Sequence, residues 1–213
     1  MISQYIKSES ILYPLTLGDE VNFRLTYDGP LKAASQSDTR RQEKHAIRRA
    51  FHSQLLQLWR NKPVLSSQTI TMSDGFSAAL SSFKRGGFNC YPIVRNDLHL
   101  VCDLDILFLR RENTGQLLRE GGDLDNRIKT LFDALRIPQD ENEVRNFMPT
   151  PEEDLFLCLT EDDKLITGFR VTTDRLLEPA KTESEKNNVR LIIQVEVKAT
   201  RLTQENMGYF AHF

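Results

Sequence analysis

The 213 residues are 39% hydrophobic and 27% charged, with a net charge of −2. That balance excludes a disordered chain and a strongly basic nucleic-acid binder. No apolar run approaches the roughly 18 residues that a bilayer span needs, and Met1 to Tyr13 lacks the basic and apolar regions of a signal peptide. A cytoplasmic protein with no membrane contact is expected.

Val21 to Tyr27 alternates apolar and polar residues and reads as a strand, broken by Asp28-Gly29-Pro30. Ser37 or Asp38 can cap a helix running to about Arg60, with Ile47, Phe51, Leu55 and Leu58 as its apolar stripe. Arg40, Arg41, Lys44, Arg48 and Arg49 occupy much of the rest, and Asp38 to Lys62 carries a net charge of +5. Phe76 to Phe83 fits a short helix or a strand equally. Phe88 to Val94 and Leu98 to Arg110 read as strands, paired as a hairpin around Arg95-Asn96-Asp97. Glu112 to Gly122 is a polar loop.

Asn126 to Arg136 reads as an amphipathic helix with Ile128, Leu131, Phe132 and Leu135 inward, stopped by Pro138. Gln139 to Asp154 is acidic, holds Pro149 and Pro151, and lacks periodicity, so an inserted loop is expected there. Leu155 to Leu159, Leu165 to Val171 and Val189 to Ala199 read as strands, with a polar link over Lys181 to Asn188. The tail from Thr203 carries no assignment. The sum is one α+β domain over residues 1–213, with a single mixed β-sheet, helices packed on it, and an acidic insertion at about 139–154.

Charge is unevenly placed. Glu120 to Asp163 holds 13 acidic and 4 basic residues, a net of −9, so the remainder carries +7. Such a chain can pair a metal site with a phosphate-binding surface. Cys90, Cys102 and Cys158 match no zinc spacing and read as structural thiols, and the four histidines have no ligand spacing.

The segment that carries chemistry is Gly121-Gly122-Asp123-Leu124-Asp125-Asn126-Arg127-Ile128-Lys129. Asp123 and Asp125 face one side if that stretch is extended, and Asp125 is a good N-cap. Lys129 lies one helical turn after Asp125, where an ammonium can meet a phosphate or pair with Asp133. Glu161-Asp162-Asp163 follows before a strand. Three convergent carboxylates suit Mg²⁺ or Mn²⁺, hard cations that prefer oxygen and activate water for phosphodiester cleavage. A second Asp-x-Asp, Asp103-Leu104-Asp105, sits within a strand, both aspartates on the face of Leu107 and Leu109, and reads as its solvated side.

Asp123-Leu124-Asp125-Asn126 with Lys129, then Asp133-Ala134-Leu135, then Asp162-Asp163 before a strand resembles the signature of RusA-type Holliday-junction resolvases. The resemblance implies a RusA-like α+β nuclease, a homodimer that cuts branched or four-way DNA. It implies metal ligands at Asp123, Asp125 and Asp163 and a catalytic Lys129. The close match covers roughly 25 residues, and 28 residues separate Asp133 from Asp162. Arg41, Lys44 and Arg48 on the basic helix are the expected nucleic-acid contacts. The alternative is a module on the same fold that binds nucleic acid or protein without cutting.

Overall fold

The structure is a computed structural model, and it describes residues 21–31, 38–61, 69–71, 77–79, 82–111, 123–183, 185, 188–203 and 205–207. The elements are β1 (Val21–Pro30), α1 (Asp38–Asn61), β2 (Thr69–Thr71), β3 (Ser77–Ala79), β4 (Phe83–Arg85), β5 (Phe88–Val94) and β6 (Leu100–Arg110). After them come α2 (Asp123–Leu135), β7 (Phe156–Thr160), β8 (Ile166–Arg175) and β9 (Asn188–Ala199). The loop expected over 112–122 and the final residues 208–213 lie outside the described residues. So do residues 76, 80 and 81 of the segment 76–83, in which 77–79 is a strand and Phe83 opens β4.

The chain is α+β, but the expected single sheet is replaced by separate ones. A four-stranded mixed sheet has the order β1-β9-β6-β8, a three-stranded mixed sheet the order β4-β5-β7, and β2 pairs with β3. The hairpin expected between Phe88 and Arg110 does not form, because β5 and β6 belong to different sheets. Burial gives the reason. β5 ends in three consecutive buried residues, and β7, its parallel partner, is buried throughout. Two-faced burial of this kind is typical of strands covered on both sides. β6 instead alternates strictly, with Cys102, Leu104, Ile106 and Phe108 inward. The turn between them, closed by Leu100 N–H donating to Arg95 O at 3.0 Å, redirects the chain from one sheet to the other. Pro92 is tolerated in the central strand β5 because β4 pairs only as far as Cys90.

The inner face of the four-stranded sheet builds the main core. Leu25 from β1, Leu191, Ile193 and Val195 from β9, and the inward residues of β6 meet Ile47, Phe51 and Leu55 of α1 and Ile128, Leu131 and Leu135 of α2. The apolar stripes read from helical periodicity are therefore the ones buried, with Leu58 and Phe132 at the margin. A second, smaller cluster joins Phe88, Cys90, Ile137, Val144, Phe156 and Cys158. All three cysteines are buried free thiols.

The acidic insertion is ordered where an irregular loop was expected. Asp140 caps a 3-10 turn over Glu141–Val144 by accepting from the N–H groups of Asn142 and Glu143, and Pro151–Glu153 forms a second turn. Both turns dock on α1. Glu143 takes the guanidinium of Arg48 at 3.0 Å, and Glu153 that of Arg49 at 2.7 Å. Opposite charge from α1 thus fixes a segment whose own sequence lacks periodicity.

Candidate functional site

The start of α2 differs from its expected position. The helix was expected from Asn126 with Asp125 as its cap, but it begins at Asp123. Asp123 and Asp125 are thus helical residues two positions apart, and such positions lie about 200° apart around a helix axis rather than on one face. Carboxylates in a first turn also favour the helix itself, at about 0.3–1 kcal/mol each. The side chain of Asp123 lies outside the described residues. Asp125 and Lys129 are both exposed and, four positions apart, share one edge of α2.

The second acidic segment precedes a strand as expected, with a turn between them. Asp163 begins a 3-10 turn, Asp163–Leu165, and the strand starts at Ile166, one residue after the expected Leu165. Strand alternation therefore does not set the directions of Asp162 and Asp163. Asp162 caps this turn by accepting from the Lys164 N–H at 3.0 Å. That backbone hydrogen bond holds the Asp162 carboxyl below its ordinary range. Asp163 is exposed.

The Asp163–Leu165 turn packs against α2. The contact is anchored at the far end of the helix, where Ile137 N–H donates to Thr160 O at 2.9 Å. By helical rise, the first turn of α2 lies about 15 Å from its last residue. Asp163, three residues beyond Thr160, reaches at most about 10 Å back along it. The acidic groups therefore stand on adjoining elements. Among the described residues no three carboxylate, imidazole or thiol groups gather around a metal position. As a donor set, exposed carboxylate oxygens fit a hard divalent cation.

The expected nucleic-acid contacts fall in unequal places. Arg48 is 1% exposed, with Nη2 donating to Asp133 O at 2.8 Å and to Glu143 Oε2 at 3.0 Å. Lys44 Nζ donates to Asp133 Oδ2 at 3.3 Å. Arg136, 3% exposed, completes the group through Asp133 Oδ1 at 2.8 Å and Glu143 Oε1 at 3.0 Å. These cations tie α1, α2 and the insertion together. A phosphate contact through Arg48 would require breaking that network. Arg41 is half-buried, and the side chain of Arg40 lies outside the described residues.

Asp103 and Asp105 stand on the outer sheet face, as their alternation suggested. What the sequence did not show is their company. Asp103 accepts from Lys198 Nζ and Thr167 Oγ1, each at 2.8 Å, and these bonds hold its carboxyl below the usual range. It lies at a register shift between β6 and β8, opposite Gly168. Asp105 is paired with Arg170. Asp103, Asp105, Gly168, Arg170, Gln194 and Glu196 line an open depression of ≈ 320 Å³. Asp103, Asp105 and Glu196 each have a cationic partner there.

No family model, no curated protein and no solved structure matches the chain.

Proposed function

We propose that the chain is a metal-dependent endonuclease acting on branched DNA, of the RusA-like type, working as a homodimer. The observation that carries this reading is the exposed edge of α2, where Asp125 and Lys129 stand one turn apart with the Asp162–Asp163 turn packed against the same helix. Asp123, Asp125 and Asp163 would hold Mg²⁺ or Mn²⁺, which on binding lowers the pKa of a bound water and neutralises charge building on phosphate. Lys129 would orient the scissile phosphate or stabilise the departing oxygen. Arg41 is the member of the basic set assigned to backbone phosphates, with shape rather than base sequence giving selectivity.

The helical placement of Asp123 and Asp125 favours one other reading, a module that binds branched DNA without cutting. Single Asp→Asn replacements at Asp123, Asp125 and Asp163 separate the two. Under the nuclease reading each abolishes Mg²⁺-dependent cleavage while melting stays within about 1 kcal/mol of the parent, the scale of a first-turn carboxylate. Undiminished cleavage in any two of them would overturn the assignment.

A further inference from the structure

Among the described residues, β8 forms an edge of the four-stranded sheet and pairs only with β6. None of its ten residues is buried. The other edge is protected differently. β1 buries Val21, Leu25 and Gly29, and the Gln54 carboxamide on α1 satisfies both the N–H and the C=O of Thr26, at 2.9 and 2.7 Å. β8 has no proline and no lysine, its charged residues Arg170, Asp174 and Arg175 are of both signs, and its register shift is confined to its start at Gly168, so the rest of this long exposed edge is a template for pairing. Phe169 stands on its helix-facing side, where its ring meets Phe132 at 5.1 Å, yet it remains 58% exposed.

We infer that β8 pairs antiparallel with β8 of a second copy, in the register that sets Thr172 opposite Thr172 of the partner subunit. Charge selects this register. It places Arg170 opposite the partner subunit's Asp174 and Asp174 opposite the partner subunit's Arg170, on the face that β6 presents through Asp105 and Leu109. Moving the centre to Val171 or Thr173 loses both charge pairs, and moving it to Arg170 sets like charges opposite each other. Directly opposed charges of opposite sign stabilise a strand pair and like charges destabilise it. On the helix side Phe169 falls opposite the partner subunit's Arg175, and Val171 opposite the partner subunit's Thr173. The Arg170 side chain, 75% exposed, already pairs with Asp105 and remains open to a second carboxylate.

The pairing joins the two four-stranded sheets into one of eight strands. Its two-fold axis is perpendicular to the sheet, so α1 and α2 of both copies lie on the same face. The Phe132–Phe169 contact sets α2 beside β8, close to that axis. The strand pairing stands whether or not the chain cuts DNA. Only its use, two α2 edges presented together to one branched substrate, rests on the proposed function.

The test is sedimentation equilibrium combined with thiol cross-linking on the full chain. The parent should sediment at about twice 24.6 kDa. Asp174→Arg should weaken dimerisation by about tenfold or more, and adding Arg170→Asp should restore it, whereas Asp105→Asn, which removes only the intrachain partner, should leave the dimer intact. Thr172→Cys should form an intersubunit disulfide under mild oxidation and Thr173→Cys should not, since opposed Cβ atoms lie about 4.5–5.5 Å apart and diagonal ones about 7–8 Å. The native thiols are buried and give little background. A monomeric parent overturns the inference, as does a dimer that ignores Asp174→Arg and fails to cross-link at position 172. A dimer of this register without cleavage would retain it and remove the nuclease reading, while a cutting monomer would do the reverse.

Discussion

The guanidinium of Arg48 donates to the main-chain carbonyl of Asp133 at 2.8 Å and to the carboxylate of Glu143 at 3.0 Å. One buried cation on α1 thereby satisfies a carbonyl in the last turn of α2, where positive charge is favoured, and anchors the acidic insertion. Arg48→Met should lower stability by about 2 kcal/mol, less than a fully stranded charge would cost because Glu143 keeps Arg136 and Lys44. Arg41→Ala should flatten the salt dependence of DNA binding. Thermal melts and salt titrations of the two variants decide this. If Arg48→Met melted like the parent and bound DNA weakly, Arg48 would be a phosphate contact.

His45 is 1% exposed and lies among Phe88, Phe147 and Phe156, its ring stacked 4.2 Å from that of Phe147. Burial pushes its pKa down to about 4 from 6.5, helped by Arg48 and Arg49. His52, whose Nδ1 accepts from Leu157 N–H at 2.9 Å, is shifted the same way by burial. The folded state thus prefers both rings neutral. Their contribution is fully present above the unfolded pKa of 6.5 and is lost as pH falls from there towards 4. For His45 the loss between pH 7 and 5 is on the order of 2 kcal/mol. Urea midpoints between pH 7 and 5, where carboxylates in general stay charged, should fall, and His45→Phe should flatten that slope. A parent midpoint constant over this range would contradict the cage.

Gly168 leaves room for the Asp103 carboxylate. A Cβ at 168 would stand 2.9 Å from Asp103 Oδ1 and 3.1 Å from its Cγ. Lys198 and Thr167 hold that carboxylate in place, so it cannot simply swing away. Gly168→Ala should cost about 1–2 kcal/mol. Adding Asp103→Ala should recover part of that cost, a coupling that a double-mutant cycle in urea would measure. Strict additivity would show that the two sites do not meet.

Lys129 shares an edge with Asp125. Lys129→Ala should lower the single-turnover cleavage rate by about 10²-fold or more, the scale of a lost charge stabiliser, while changing DNA affinity little. A loss confined to binding would make it a phosphate anchor.

Periodicity carried much of the fold. The α1 stripe Ile47, Phe51 and Leu55, the α2 residues Ile128, Leu131 and Leu135, and the inward residues of the alternating strands β6 and β9 are buried as their spacing requires. The partition into sheets was hidden, because β5 and β6 are both apolar runs and only two-sided burial tells them apart. The docking of the insertion was hidden too, since Arg48 and Glu143 are 95 positions apart in the chain. At the site, Asp125 and Lys129 share an edge as their spacing of four dictates. The relation of Asp123 to Asp125 depended on where α2 begins, and two glycines before Asp123 made that boundary hard to read.

The central claim is metal-dependent cleavage of branched DNA. Its most direct measurement is incubation of the purified chain with end-labelled four-way junctions, flaps and linear duplex, with Mg²⁺ and with EDTA. The account predicts paired, symmetric nicks in the four-way junction with Mg²⁺, little cutting of linear duplex, and none with EDTA. Junction binding with no cleavage in either Mg²⁺ or Mn²⁺ would contradict it and leave the binding-module reading.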